Sequence, residues 1–250
     1  MTILIAAAIL AFCALVQGAA GFAFSLFAVP LLLFTGYDFP NAVALTLLAS
    51  LLQKFTMIYH LRRSIQRRGL LVPALFMLLM LPFGVLALRM LGSSGSGVVK
   101  RVVGGLVLAV LMIRWLLKVE PHSQVHWGWG ALAGGFSGFF QGLANVGGPP
   151  IVLWSQAHRW PPERLRSVTP VLVVLLAPFQ IFMLNLAVGN EVWPDWKQMV
   201  FFAPVIMSAA FAGVWLGGHL RVDRLRFLVT VLLLLLSFML LLNPLAFLKR

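Results

Sequence analysis

The chain has 250 residues, 61% of them hydrophobic and 10% charged, with a mean hydropathy of +0.99. That composition excludes an ordinary soluble domain and reads as an all-α polytopic membrane protein. The net charge of +13 would suit nucleic acid, but Lys and Arg also gather in the inner loops of membrane proteins to set orientation, so no nucleic-acid partner is expected.

The first apolar stretch runs from Thr2 to Thr35. No basic residue precedes it and the apolar character continues past it, so it reads as a membrane segment rather than a cleaved leader. Its 34 residues are short for two crossings at roughly 20 residues each. Two half-length helices meeting near the midplane are predicted, the second starting near Phe22. Ordinary spans follow at Ala42 to Leu61, Leu70 to Leu91 and Val98 to Leu117. A second long run, Trp127 to Trp154, contains QGLANVGGPPIVLW from Gln141. Two glycines and two prolines cannot sit inside a continuous helix, because glycine loosens it and proline removes a donor and clashes with the preceding turn. The backbone is predicted to break at Gly147, Gly148, Pro149 and Pro150, with a helix resuming near Ile151. Val168 to Val188, Met199 to Leu220 and Phe227 to Leu245 complete the apolar segments.

The two halves resemble one another. QGAA at Gln17 matches QGLA at Gln141, and FGVL at Phe83 matches AGVW at Ala212. A tandem duplication with its seam near Glu120 to Val125 accounts for both, giving one membrane repeat over 1–120 and another over 121–250 that form a single transport domain. The basic residues choose the orientation of the halves. If each first run goes in and comes back, Arg62, Arg63, Arg67, Arg68, Arg114, Lys118, Arg159, Arg164, Arg166, Arg221, Arg224 and Arg226 lie inside. Leaving out Lys54, that is twelve inside against six outside, whereas four full crossings per half would divide them evenly. Inverted repeats are therefore expected, each a broken or re-entrant helical hairpin plus three transmembrane helices, with both termini outside. Trp115, Trp127, Trp129, Trp154, Trp160, Trp193 and Trp196 fall at segment ends and read as an interfacial belt.

All six carboxylates, Asp38, Glu120, Glu163, Glu191, Asp195 and Asp223, stand in linkers or at segment ends. The histidines do likewise and have no metal-ligand spacing, and Cys13 is alone. No catalytic constellation, metal or other cofactor is expected, and the chain does not read as an enzyme. Interior polar groups are neutral instead. Ser137, Gln53 and Asn185 read as helix packing. The candidate substrate-binding residues are Gln17, Gly18, Gly21 and Ser25 at the first break, Gln141, Asn145, Gly147, Gly148 and Pro149 at the second, and Lys54 and Gln180 on ordinary helices. Interrupted segments at corresponding places in two halves point to a transporter's site. Carboxamides and helix N-termini that donate hydrogen bonds suit a small anion.

These features resemble the sulfite exporter TauE/SafE family of membrane permeases. The resemblance rests on the duplicated architecture, on GFSGFFQGLANVGGPPIVLW from Gly135, and on FGVLAL and AGVWLGGHL from Phe83 and Ala212. The first half, QGAAGFAFSLFAVPLLL, keeps Gly18, Gly21 and Pro30 but lacks the family's consecutive glycines. The resemblance implies transport of sulfite or organosulfonates across the bacterial inner membrane, commonly outward. The partners expected are a small anionic substrate and the lipid bilayer, and a homo-oligomer is compatible with these features. Alternating access, the halves rocking around a midplane site, is the expected mechanism. An anion channel and an assembly factor without transport activity are the rival readings.

Overall fold

The computed structural model describes residues 2–20, 23–66, 69–116, 122, 125–219 and 222–242, and these are helical almost throughout. The described residues form ten α-helices in order: α1 Thr2–Ala20, α2 Phe24–Phe34, α3 Phe39–Leu61, α4 Leu71–Gly92, α5 Ser96–Leu116, α6 Trp127–Ala144, α7 Gly148–Gln156, α8 Pro162–Val188, α9 Trp196–His219 and α10 Val222–Leu242. Each half thus has the same order, an interrupted pair and then three long helices. Five helices among the described residues, α3, α4, α5, α8 and α9, are long and apolar enough to cross a membrane. Lipid cannot satisfy backbone N–H and C=O groups, so a chain this apolar closes them within helices.

The lipid-facing surface can be read from side chains. On α4, Leu71, Leu75, Leu79, Phe83, Leu86 and Met90 are exposed, a stripe with helical spacing. Met77, Leu81, Val85 and Leu88 point the other way and are buried. Exposed apolar residues in such a stripe are stable only against hydrocarbon, so the bilayer completes the fold.

The chain divides into two compact units. One comprises Met1–Gln53, Met90–Ile113 and Glu191–Arg250, the other Lys54–Arg89 and Arg114–Asn190. Each draws on residues from both halves of the chain.

In the first unit α1 crosses α9 at backbone contact. A Cβ on Gly18 would lie 2.5 Å from the Ala210 carbonyl oxygen, and one on Gly213 would strike the Leu15 backbone. The second unit repeats this with α4 and α6. A Cβ on Gly84 would strike the Phe139 carbonyl and one on Gly142 the Leu81 carbonyl. These four glycines belong to the two pairs of matched motifs. The hairpin of each half therefore packs on the middle spanning helix of the other half, and small residues permit the approach.

Along α6 the same contact continues one turn earlier, where Gly138 faces the Met77 backbone, whereas Gly135 meets only the Met80 side chain at 3.6 Å. Gly135→Ala is expected to leave the melting temperature unchanged or raise it, because alanine favours the helix by about 1 kcal/mol. Gly138→Ala is expected to lower it by several degrees; thermal denaturation of the two purified variants checks the contrast.

Two sequence expectations are corrected. The hairpin arms are not equal halves meeting at the midplane: α1 has 19 residues and α2 has 11, while α6 has 18 and α7 has 9. The first arm of each is about 27 Å long at 1.5 Å per residue, the second about half that. Trp154 does not belong to an interfacial belt. It is 8% exposed, within a core of Met77, Ile151, Val168 and Leu172. Its ring meets those of His158 and Trp160 at 4.7 and 5.5 Å, and the Arg164 guanidinium lies 3.8 Å above Trp160. Burial here holds the His158 imidazole below its ordinary pKa. Trp115, Trp127, Trp129 and Trp196 are well exposed, as a belt requires.

Candidate functional site

Both breaks are closed in the same way. At the first, α1 ends at Ala20 and α2 begins at Phe24, with Ala23 in the left-handed region at φ 90°. A non-glycine residue rarely takes this conformation, so neighbouring groups must hold it. Gln17, one turn before the end of α1, does so: its Oε1 accepts a hydrogen bond from the Phe24 backbone N–H at 3.0 Å. That donor opens α2 and has no partner inside the helix. Ser25 follows, half-buried, and Gly18 is turned to α9 as described. Gly21 lies outside the described residues.

The second break is built more heavily. Asn145 ends α6 in the left-handed region, φ 56° and ψ 29°, a conformation asparagine tolerates better than most residues. Gln141 Oε1 accepts from the Gly147 backbone N–H at 3.1 Å. The first-half glutamine spans seven residues and this one six, so the two motif glutamines share one job. Gln141 Nε2 also donates to Asn145 Oδ1 at 2.5 Å and to Gln180 Oε1 at 2.9 Å. Gln180, on α8, returns a bond from its Nε2 to the Gln141 carbonyl at 2.9 Å. The Ser137 hydroxyl donates to the Gly147 carbonyl. Ser137, Gln141, Asn145 and Gln180 are all at most 4% exposed.

Sequence reading treats Ser137 as helix packing; here it is part of the break. The available signal is its spacing, four residues before Gln141 and so on the same helix face. Gly147 is required by close approach, since a Cβ there would lie 2.7 Å from both Gln141 Oε1 and the Ser137 carbonyl oxygen.

The proline pair does not break the backbone. The helix α7 starts at Gly148 and Pro149 and Pro150 are in its first turn. Proline is favoured there because its missing N–H would have no helical partner anyway. The irregular segment is confined to Asn145–Gly147, and the helix starts are Phe24 and Gly148 rather than Phe22 and Ile151. This changes the donor inventory. Of the four N–H groups a helix start leaves unpaired, two are absent at the prolines and that of Gly147 is taken by Gln141. That leaves the Gly148 N–H at the positive end of α7.

Both hydrogens of the Gln141 amide are engaged within the protein. The chemical capacity of the second break is thus a braced loop that presents backbone and the helix end. Lys54 lies on α3, 9% exposed, and is not a member of the Gln141 network. Among the described residues no three His, Cys, Asp or Glu side chains gather to hold a metal ion.

No curated protein and no solved structure matches the chain. The family model described as Sulfite exporter TauE/SafE matches residues 4–240, from within α1 to within α10. The chain therefore belongs to the sulfite exporter TauE/SafE family, and is a multi-pass membrane transporter of small sulfur-containing anions.

Proposed function

We propose that this transporter exports sulfite or an organosulfonate across the bacterial inner membrane by alternating access of two inverted repeats, with the anion held at an interrupted hairpin. The observation that carries this is the matched pair of breaks, each braced by a motif glutamine that accepts a backbone N–H at the start of the following helix, Phe24 in one and the N-cap Gly147 in the other. Backbone leaves the helix inside a membrane segment only where protein or a wet cavity covers it. At the second break the Gly148 N–H and the α7 dipole favour an anion. Asn145 sets the turn that presents them, and Lys54 supplies positive charge from α3. The braced loops need not reorganise when the ligand arrives. Outward direction follows from the membrane potential, which drives a monovalent anion out of a negative interior by about 2.3 kcal/mol per 100 mV.

Purified protein in liposomes tests the reading. Sulfite and organosulfonate flux is expected to saturate with concentration and to rise when the substrate-containing side is made negative. Flux that stays linear would replace the carrier with a channel. No flux for any sulfur-containing anion would remove the transport assignment.

A further inference from the structure

Gln53 differs from the other interior glutamines. Gln17, Gln141 and Gln180 each bond to named protein groups. Gln53 is 4% exposed, yet neither its Nε2 nor its Oε1 has a hydrogen-bond partner among the described residues. Two unpaired buried polar atoms are costly, and a side chain kept only for packing would be better apolar. Gln53 continues a polar face. Thr46, Ser50 and Gln53 stand at i, i+4 and i+7 on α3, all buried, and this spacing lines one side of a helix. Thr46 and Ser50 turn their hydroxyl hydrogens back to the helix, to the Ala42 and Leu47 carbonyls at 2.6 and 2.9 Å. Lys54, the next residue, puts a positive charge beside this face at 9% exposure.

We propose that Gln53 contacts the transported anion and selects anions that carry a hydrogen-bond donor of their own. The inference rests on the anion-transport reading above. A carboxamide presents two N–H donors on one side and an acceptor oxygen on the other. An oxyanion without hydrogen pairs with Nε2 but leaves Oε1 unpaired and facing negative charge. A monoanion that also bears an O–H or N–H, such as hydrogensulfite or a hydroxyalkanesulfonate, accepts from Nε2 and donates to Oε1. It satisfies both atoms at once. A site with a buried group left unpaired by the wrong ligand discriminates by about tenfold or more.

Isethionate and ethanesulfonate carry the same charge and differ by one hydroxyl, so they isolate this effect at a single pH. In proteoliposomes the wild type is expected to favour isethionate by about tenfold in Vmax/KM. Gln53→Leu and Gln53→Met, the latter of similar length, are expected to lose the preference while still carrying ethanesulfonate. Thermal shift of the wild type should show the same order, isethionate raising the melting temperature more than ethanesulfonate. The wild-type comparison needs no variant, so a misfolded variant does not spare the proposal. Equal handling of the two sulfonates by the wild type, or a preference that survives in either variant, overturns the role of Gln53 and leaves sulfite transport standing. Absence of flux for all sulfur-containing anions overturns the underlying reading instead.

Discussion

Gln141→Leu should abolish sulfite flux and destabilise the second unit by about 3 kcal/mol or more. The substitution keeps the volume but strips bonds from the Gly147 N–H, Asn145 Oδ1 and Gln180 Oε1. All three sit where water does not reach, and each buried group left unpaired costs about 1–3 kcal/mol. Gln17→Leu removes one such bond, to the Phe24 N–H, and should cost about 1–2 kcal/mol. The ranking is the sharper part of the expectation. Melting temperatures of the two variants in detergent, with flux measured on whatever folds, provide the check. Equal losses would show that the Gln180 and Asn145 bonds add nothing to the brace. Gln141→Glu retains an acceptor for the Gly147 N–H and should fall between wild type and Gln141→Leu.

The other large effect is steric. Gly142→Leu and Gly213→Leu each place a branched side chain where the neighbouring helix presents bare backbone, the Leu81 carbonyl for one and the Leu15 carbonyl for the other. Backbone cannot rotate away as a side chain can, so the helices must separate. The loss should exceed about 3 kcal/mol, beyond ordinary overpacking. Gly105→Leu is the control, since nothing lies within 4 Å of a Cβ there. Folded yield by size-exclusion chromatography should be near zero for the first two and near wild type for the third. Normal yields of Gly142→Leu would mean that α4 and α6 are not held at backbone distance.

Much of this was legible from the amino acids because hydropathy and glycine–proline punctuation are local signals. The apolar runs become the ten helices of the described residues with shifts of a few residues, and an interruption falls in each matched run, the second at Asn145–Gly147 rather than over Gly147 to Pro150. What local signals do not carry is whether a proline ends a helix or starts one. Pro149 and Pro150 read as a break, yet the three-residue loop Asn145–Gly147 before them turns them into a first turn. Residue type also does not say to whom a carboxamide donates. Gln141 looks like a ligand for an anion, and its hydrogens are directed to Asn145 and Gln180. Trp154 sits at a segment end in the sequence, but α7 is too short to carry it to the surface. The pairing of α1 with α9 and α4 with α6 is non-local, and the matched glycines gave its only trace.

That exchange of partners bears on how the protein is made. Helix α1 offers the face of Gly18 to α9, which is synthesised only after the seven helices between them. The α1–α2 hairpin must wait in the bilayer, its Gly18 face uncovered, until α9 arrives. Neither half is self-sufficient, because each lacks the surface on which its own hairpin rests. A gene cut at the linker between α5 and α6 should yield two fragments that are cleared by quality control when made singly and persist when made together.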